Sequence, residues 1–313
     1  MKLPQLGKVL NDFVRKRPMV DVSDVRAIQD KHGYFLSQAR MEEYQHQGFT
    51  SQSTGLHPTE VSILLRELER LCANPPSRIH YEANGVTPRS IFNLPAYSAI
   101  YASLIRHPAI VLPVHQLIQE PFYCFQFQLN FKVAFDGKEW PWHQDYPTFQ
   151  HDDGMPDCRA VNVLIFLEDV NEFNGPMMFV PCSQKFILPL PEVDHDRTGW
   201  ASRWLETSKI ESIVRDGGIV APKGCAGSIV IAHPNIVHGS ANNPSPFGRA
   251  LITCTYSALS TRAKGSHRAK DIVSNDYTEI QAEDDDCILR YHDSKLSRST
   301  VFDTSCFARH HSG

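Results

Sequence analysis

The sequence predicts a mainly β protein with flanking helices, whose core is a jelly roll, that is, a double-stranded β-helix. Between residues 123 and 135 apolar side chains alternate with polar ones, which is the pattern of a long strand with one buried face. Shorter strand candidates follow at residues 159–167, 177–180, 227–232 and 249–258. Turns rich in Gly, Pro and Asn separate them, and no helical pattern intervenes, which is typical of a sandwich or jelly roll.

The helical pattern lies in the first part of the chain. Apolar residues recur three and four positions apart from Val61 to Leu71, and Pro75 ends this pattern. A second apolar stretch, at residues 97–119, is interrupted at Pro108 and again at Pro113. We therefore expect a mainly helical part, which packs against the strands.

The chain is expected to form one domain. Its 313 residues contain no Gly/Ser-rich linker and no break in composition. We divide residues 1–313 into the mainly helical part (about 1–120), the jelly-roll core (about 121–260) and a C-terminal extension (about 261–313). The extension is polar and carries an Asp run at 284–286, so we expect a surface extension or a loose tail there.

Composition excludes several classes of partner. The formal charge of −4 provides no basic field for nucleic acid, and no segment reaches the roughly 20 apolar residues of a membrane span. No apolar run of signal-peptide length opens the sequence, so a soluble, cytoplasmic protein is expected. The eight cysteines form no CxxC pair and are expected to be buried free thiols. The sequence does not indicate an oligomeric state.

A candidate metal site lies in the segment 140–146, where His143 and Asp145 stand two positions apart. On a strand, both side chains would point to one face and reach one ion. One such pair proves little, because His151 and Asp153 form a second match nearby.

A downstream segment supplies the missing ligand. An apolar strand at 229–232 runs into a turn that carries His233 and His238, and Arg249 opens the next strand. A distal histidine completes a 2-His-1-carboxylate triad, which leaves open positions on iron for a bidentate 2-oxo acid and O₂. An arginine on a neighbouring strand can hold the far carboxylate of that acid through a two-pronged pair.

These residues resemble the phytanoyl-CoA dioxygenase-like superfamily of Fe(II)/2-oxoglutarate enzymes, and within it ectoine hydroxylase and the free L-leucine hydroxylase. The resemblance covers about residues 122–259. It rests on the motifs at 126–132, 137–145, 153–156, 159–162, 172–176 and 238–240, together with Arg249. It implies a cupin-like jelly-roll core and a hydroxylase that uses Fe(II), 2-oxoglutarate and O₂.

The resemblance also implies roles for single residues. It makes His143, Asp145 and His238 the iron ligands, with His238 preferred over His233, and it implies no catalytic residue beyond them. Arg249 would hold the C5 carboxylate of 2-oxoglutarate. The other residues placed around the co-substrate are Gln126, Asn130 and Ser240. Gln126 and Asn130 also lie on the polar face of the long strand, which suits a barrel strand that lines a wet cavity; the alternative is that this face meets solvent.

The expected substrate is a small molecule, and its candidate contacts are Trp140, Phe149 and Arg159. For Trp140 and Phe149 the alternative is core packing, and for Arg159 it is a structural salt bridge. Phe149 stands where the ectoine enzymes carry Trp, which disfavours ectoine. The runs 159–162 and 172–176 are closer to the leucine hydroxylase, which favours a free amino acid or a cyclic one such as proline or pipecolate.

Other activities stay open at this point. The same iron centre can perform desaturation, cyclisation or epimerisation. A cupin-like metal isomerase or hydrolase would use the three ligands without 2-oxoglutarate, and a non-catalytic binding protein would keep the fold. Related halogenases have Gly or Ala in place of Asp145, so the carboxylate favours hydroxylation.

Overall fold

The protein is described from a computed structural model, which covers residues 33–52, 55–75, 79–186, 188, 203–268 and 271–291. In these residues the helices are α1 (Gln38–Gln47), α2 (Pro58–Ala73), α3 (Ala99–Leu104), α4 (Pro108–Ile118), α5 (Tyr146–Asp153) and α6 (Thr207–Gly217). The strands are β1 (Phe49–Gln52), β2 (Ile79–Tyr81), β3 (Pro88–Phe92), β4 (Phe122–Lys132), β5 (Trp140–His143), β6 (Ala160–Phe166), β7 (Met177–Phe179), β8 (Ile229–Ala232), β9 (His238–Ser240) and β10 (Arg249–Ala258). Short 3₁₀ turns lie at Leu94–Ala96, Ser183–Lys185, Leu259–Thr261 and Leu289–Tyr291.

The strands form two antiparallel sheets. The major sheet has the order β1-β8-β6-β10-β4-β3-β2, and the minor sheet has the order β5-β9-β7. Strand β10 lies at the centre of the major sheet, where Arg249 pairs with Lys132 of β4 and Thr255 pairs with Asn162 of β6. Antiparallel strands that change between two sheets in this way form the predicted jelly roll.

One face of the major sheet packs against the helices. Strand β4 contributes Phe127 and Leu129 to this core, because alternate side chains from Phe127 onwards share one face. Helix α2 begins with a capping box between His57 and Glu60, and its apolar stripe joins the same core. Burial of each such leucine or phenylalanine contributes about 1.5–3 kcal/mol. This core fixes the position of the sheet, whose opposite face carries the polar residues of β4 together with apolar residues of other strands.

The predicted strands are observed, but helices α5 and α6 lie between strands where no helix was expected, and other elements differ in their bounds. Strand β4 ends at Lys132 and not near Phe135, which has a positive φ of 63° and is 65% exposed. Helix α4 continues through Pro113, whose ring is buried, so the break expected there does not occur. The part predicted to be mainly helical also contains strands β1, β2 and β3. These strands are short and form through pairing with strands that are distant in sequence, so no local sequence pattern marks them.

The C-terminal residues 271–291 are not the loose tail that their polarity suggests. Ile280, Cys287 and Ile288 are buried in the core beside the helices, and Ile272 and Val273 join a second apolar cluster. A few apolar side chains are therefore enough to fix a mostly polar segment against the barrel.

The described cysteines are all free thiols, and Cys306 lies outside the described residues. Four are buried, namely Cys72, Cys124, Cys254 and Cys287. Cys158 and Cys182 are half-buried and Cys225 is exposed, so burial holds for only part of the set. None of the described helices is both long and apolar enough to cross a membrane.

Candidate metal centre

The two histidines of the candidate site are held by strand pairing. His143 ends β5 and His238 begins β9, and their Cα atoms are register partners. Their ring centroids lie 4.2 Å apart. Asp145 follows as the residue before helix α5, and not on the strand as expected. Its backbone N–H donates to Pro234 O at 3.0 Å, which turns the chain so that the carboxylate faces both rings.

The donor atoms of the triad converge. His143 Nε2 lies 3.5 Å from Asp145 Oδ1, and His238 Nε2 lies 3.8 Å from Asp145 Oδ2. One potential ligand atom from each residue lies within 4.8 Å of the other two. In the described part of the chain this is the group of His, Cys, Asp and Glu side chains arranged to hold a metal ion.

Backbone carbonyls orient both imidazole rings. Nδ1 of His143 lies 2.7 Å from Pro141 O, and Nδ1 of His238 lies 3.0 Å from Ile236 O. A carbonyl only accepts, so each Nδ1 carries the proton and donates it. The Nε2 lone pairs are therefore free to bind a metal, as in metal sites where the other ring nitrogen is fixed by a hydrogen bond.

The protonation states suit a divalent cation. Burial raises the pKa of Asp145, but the neighbouring His238 and His143 and a hydrogen bond from Asn162 outweigh it and lower the pKa to about 2. Burial and the nearby His143 lower the pKa of His238 to about 4. At neutral pH the site thus offers one carboxylate and neutral imidazole, which is the donor set of a 2-His-1-carboxylate iron site.

The competing ligand candidates are engaged elsewhere. His151 and Asp153 lie on helix α5, where residues two apart diverge. Asp153 is fully buried and pairs with the Arg268 guanidinium and the Ser266 hydroxyl. His233 accepts a hydrogen bond at Nδ1 from the backbone of Asn235 and is not part of the convergent group.

The triad lines one end of a cavity between the two sheets. Its wall combines polar residues of the major sheet with apolar residues of both sheets. The cavity contains every residue predicted to surround the co-substrate: Gln126, Asn130, Ser240 and Arg249.

Arg249 is the unusual member of this lining. It is 1% exposed, and among the described residues its Nε and Nη1 atoms have no hydrogen-bond partner. Burial lowers the pKa of its guanidinium to about 10 although the nearby Glu168 carboxylate opposes this, so the group stays charged at neutral pH. A buried cation with open donors is costly unless an anion pairs with it. The residues present therefore fit a carboxylate at this end of the cavity and a metal ion at the other.

A ladder of side-chain amides runs along β4 on the cavity wall. Arg268 donates to Gln126 Oε1 at 3.0 Å, Gln126 donates to Gln128 Oε1 at 3.3 Å, and Gln128 donates to Asn130 Oδ1 at 2.7 Å. Gln128 lines the cavity and Arg268 contacts its wall through Gln126, and neither was named as a candidate site residue from the sequence. The alternation along the strand carries a signal for Gln128, whereas Arg268 lies in the polar extension, where no local pattern marks it.

The three predicted substrate contacts lie in different surroundings. Trp140 lines the cavity, with the Arg89 guanidinium 3.8 Å from its ring centroid. Phe149 is buried in the second apolar cluster, with its ring centroid 4.8 Å from that of Phe125, and does not line the cavity. This placement corresponds to the core-packing alternative.

Arg159 lies outside the cavity lining as well. Its side chain is 57% exposed and forms ion pairs with Glu120 at 2.9 Å and Asp157 at 3.2 Å. Hydrogen bonds to these two carboxylates raise the pKa of its guanidinium. The geometry corresponds to the salt-bridge alternative, since both carboxylates already occupy the donors that a substrate would need.

A segment after residue 202 covers one edge of the metal centre. Arg203 pairs with Asp152 of α5 at 2.8 Å, and Leu205 N–H donates to Trp142 O at 2.8 Å. Between them, the Trp204 ring lies edge-on to His143 with centroids 5.3 Å apart. Trp204 therefore shields a candidate ligand from solvent, a role that its position in the sequence does not indicate.

Comparison with known proteins agrees with this geometry. The family model for phytanoyl-CoA dioxygenase (PhyH) matches residues 44–251, which include the triad and Arg249. The chain belongs to the phytanoyl-CoA dioxygenase family. The predicted family and jelly-roll core are thereby confirmed, and this PhyH protein shares its fold with EctD from S. alaskensis.

Several relatives are similar over most of the chain. The L-proline trans-4-hydroxylase of Streptomyces griseoviridis is 32% identical over 246 residues, which is 74% of this chain and 90% of that protein. The ectoine dioxygenase of Bordetella bronchiseptica is 34% identical over 72% of this chain and 76% of that protein. The crystal structure of EctD from S. alaskensis with 2-oxoglutarate and 5-hydroxyectoine has a TM-score of 0.70 at 26% identity, over 86% of this chain and 96% of that chain.

Proposed function

We propose that this PhyH protein is an Fe(II)- and 2-oxoglutarate-dependent hydroxylase that acts on an unactivated C–H bond of a free or cyclic amino acid. The observation that carries the proposal is the pairing of two features in one cavity. One end presents free Nε2 atoms and a carboxylate, and the other presents the partnerless donors of buried Arg249.

The residues present divide between the metal and the co-substrate. His143, Asp145 and His238 would hold Fe(II), and Arg249 would pair with the C5 carboxylate of 2-oxoglutarate. When bound, the iron and 2-oxoglutarate would supply the oxidising chemistry, in which one oxygen atom of O₂ enters succinate and the other enters the product.

The chain itself orients the reactants and keeps water out. Leu164, Met177 and Phe179 form an apolar part of the cavity wall. An apolar wall limits the access of water and strengthens the polar contacts inside the site. Asn162 donates to Asp145 Oδ2 at 2.7 Å, so the carboxylate is held in one orientation.

An amino acid suits the charges at the cavity. The relatives named for proline and ectoine act on small molecules. Arg268 does not line the cavity itself, but it donates to Gln126, which does, and its side chain is 12% exposed. Nε and Nη2 already pair with Asp153 and Gln126, so Nη1 is the nitrogen through which it would reach a substrate carboxylate. Among the described residues that line the cavity, Arg249 is the single Arg or Lys, which does not suit the several phosphates of an acyl-CoA. We place the reaction in the cytoplasm, which suits the free thiols of the described chain.

A substrate screen tests the proposal. Purified protein is incubated with Fe(II), 2-oxoglutarate and O₂ and with L-proline, L-pipecolate, L-leucine, ectoine or an acyl-CoA in turn. We expect a gain of one oxygen in an amino-acid product and an equal amount of succinate, and neither with the Asp145→Ala variant. Turnover of the acyl-CoA with no amino acid oxidised would overturn the substrate class. Loss of two hydrogens in the product would identify desaturation instead.

A further inference from the structure

Lys132 is buried at the end of β4 beside the candidate co-substrate site. It is fully buried, and its Cα pairs across the major sheet with that of Arg249. The side chain does not line the cavity. Lys132 therefore lies beside the arginine that would hold the co-substrate, but it would not contact the co-substrate itself.

The amine of Lys132 connects the major sheet to the minor sheet. Nζ donates to Lys138 O at 2.5 Å and to Ala241 O at 2.6 Å. Lys138 lies two residues before β5, and Ala241 directly follows β9. These are the two strands that carry the candidate histidine ligands. The side chain of Lys132, which lies opposite Arg249, thus holds the ends of both strands.

The surrounding chain leaves little room for this side chain to move. A Cβ added at Gly175 would lie 3.3 Å from Lys132 Cδ and 2.9 Å from Ala241 O. A Cβ added at Gly137 would lie 2.7 Å from Lys132 Cα. Asn243 donates Nδ2 to Lys132 O at 3.1 Å, so the backbone is also held. The connection between the two sheets is therefore rigid.

The strand register shows how far this connection lies from the candidate ligands. Lys132 holds β5 and β9 at the end where Trp140 pairs with Ser240, whereas His143 pairs with His238 two to three residues further along. That spacing corresponds to about 7–10 Å along the strands. This is the offset between the strand ends that Lys132 holds and the two candidate histidine ligands. Because Arg249 lies opposite Lys132 in the major sheet, a shift of this connection would change how far the guanidinium lies from the triad.

We propose that Lys132 is a positioning residue that sets the separation between Arg249 and the metal triad, and that it thereby selects a five-carbon 2-oxo diacid over shorter and longer ones. This inference rests on the proposed function, since it names what determines co-substrate length at that site. Lys132 acts through Arg249 and the minor sheet and does not contact the co-substrate itself.

The test measures binding of 2-oxo diacids with four, five and six carbons: oxaloacetate, 2-oxoglutarate and 2-oxoadipate. Calorimetry without O₂, on protein loaded with Fe(II), gives the affinities without turnover. The variant is Lys132→Met, which keeps the length of the side chain and removes its donors. The matched control is Lys138→Met, because the side chain of Lys138 is exposed and its carbonyl is retained. Iron content is measured for each protein.

We expect Lys132→Met to bind 2-oxoglutarate at least about tenfold more weakly and to lose most of the preference for five carbons, with unchanged iron content. Lys138→Met should behave as the wild type. An equal loss for all three acids, or an unchanged preference, would overturn the inference. A wild type that binds none of the three acids would instead contradict the proposed function.

A second variant keeps the test valid if Lys132→Met does not fold. Gly175→Ala places a methyl group against Lys132 Cδ and Ala241 O, at a positive φ of 71°, and so displaces the same connection while the Lys132 amine is kept. It should reduce the preference for five carbons in the same direction by a smaller factor. An unchanged preference in Gly175→Ala would also count against the inference.

Discussion

Asn162 connects the candidate metal carboxylate to the centre of the major sheet. Its Nδ2 donates to Asp145 Oδ2 at 2.7 Å, and its Oδ1 accepts a hydrogen bond from the Thr255 hydroxyl at 2.8 Å. The amide can satisfy both partners in only one orientation, because one end donates and the other accepts. The position of the carboxylate is therefore coupled to β10 through one fixed side chain.

From this contact we predict that Asn162→Ala weakens Fe(II) binding by about 10–100-fold, as loss of a hydrogen bond to a metal-binding side chain typically does. Thr255→Val should have a smaller effect in the same direction, since it removes only the contact that orients Asn162. Titration of the apoprotein with Fe(II) or Co(II) measures both. Equal metal affinity in wild type and Asn162→Ala would show that the hydrogen bond from Asn162 to Asp145 does not contribute to metal binding.

A second prediction separates the two His-x-Asp segments. His143→Ala, Asp145→Ala and His238→Ala should each lose bound iron, because each removes one of three donors. His151→Ala and Asp153→Ala should retain most of it. Metal content of protein purified without O₂ decides between the segments. Retention in Asp145→Ala with loss in Asp153→Ala would reverse the assignment.

Local sequence patterns were sufficient for the long elements of the fold. Strand β10 was expected at 249–258 and is observed at Arg249–Ala258, because its residues lie in the sheet centre and its Asn/Pro-rich approach is a strong turn signal. Helix α5 was not expected. Its residues have no clear apolar stripe, so its formation depends on the backbone contacts of Asp145 and Tyr146 with Pro234 and not on a local pattern.

The candidate site divides in the same way. His143 and His238 could be named because they lie in motifs, and the chemistry of a metal demands those residue types. Arg268 and Trp204 could not, because each reaches the site from a segment whose own sequence is unremarkable. Their roles depend on tertiary contacts, with Asp153 in one case and with His143 in the other.

A third prediction concerns the co-substrate clamp. Arg249→Met should weaken 2-oxoglutarate binding by at least about two orders of magnitude, since loss of one partner of a buried charged pair costs about 3–5 kcal/mol. Arg249→Lys should retain only part of the affinity for 2-oxoglutarate, because a point charge cannot form two parallel hydrogen bonds. Iron content should stay the same. Calorimetry with iron-loaded protein measures the change, and an unaltered affinity would place the clamp elsewhere.

A fourth prediction tests Arg268 as the partner of the substrate carboxylate. Arg268→Met should raise the KM for the amino acid by about 10–100-fold, the loss expected for a hydrogen bond to a charged group. The KM for 2-oxoglutarate should change much less. The matched control is Arg262→Met, because Arg262 is exposed in the same segment. If both variants raise the substrate KM equally, the effect belongs to the segment and not to the Arg268 guanidinium.

The last prediction concerns stability and the buried amine of Lys132. Burial, followed by the nearby cations Arg249 and Arg89, lowers its pKa from 10.5 to about 6, and Glu82 and Glu139 oppose this only in part. The amine is therefore mostly neutral in the folded protein at pH 7.5, while it is protonated in the unfolded chain. A neutral amine still has two N–H donors, which matches its two carbonyl acceptors.

The sign of the pH dependence follows from proton counts. Between about pH 6 and 10.5 the unfolded chain binds a proton on Lys132 that the folded protein does not, so the free energy of unfolding rises with pH by up to about 1.4 kcal/mol per unit. Below pH 6 both states are protonated and this contribution becomes constant.

Urea unfolding from pH 5 to 9 should therefore show a stability difference between wild type and Lys132→Met that increases with pH above 6. The difference between wild type and Lys138→Met should not depend on pH, because that side chain is exposed in the folded protein. A flat difference for Lys132→Met would mean that Lys132 stays protonated in the fold, and its two carbonyl contacts would then be those of a buried ammonium.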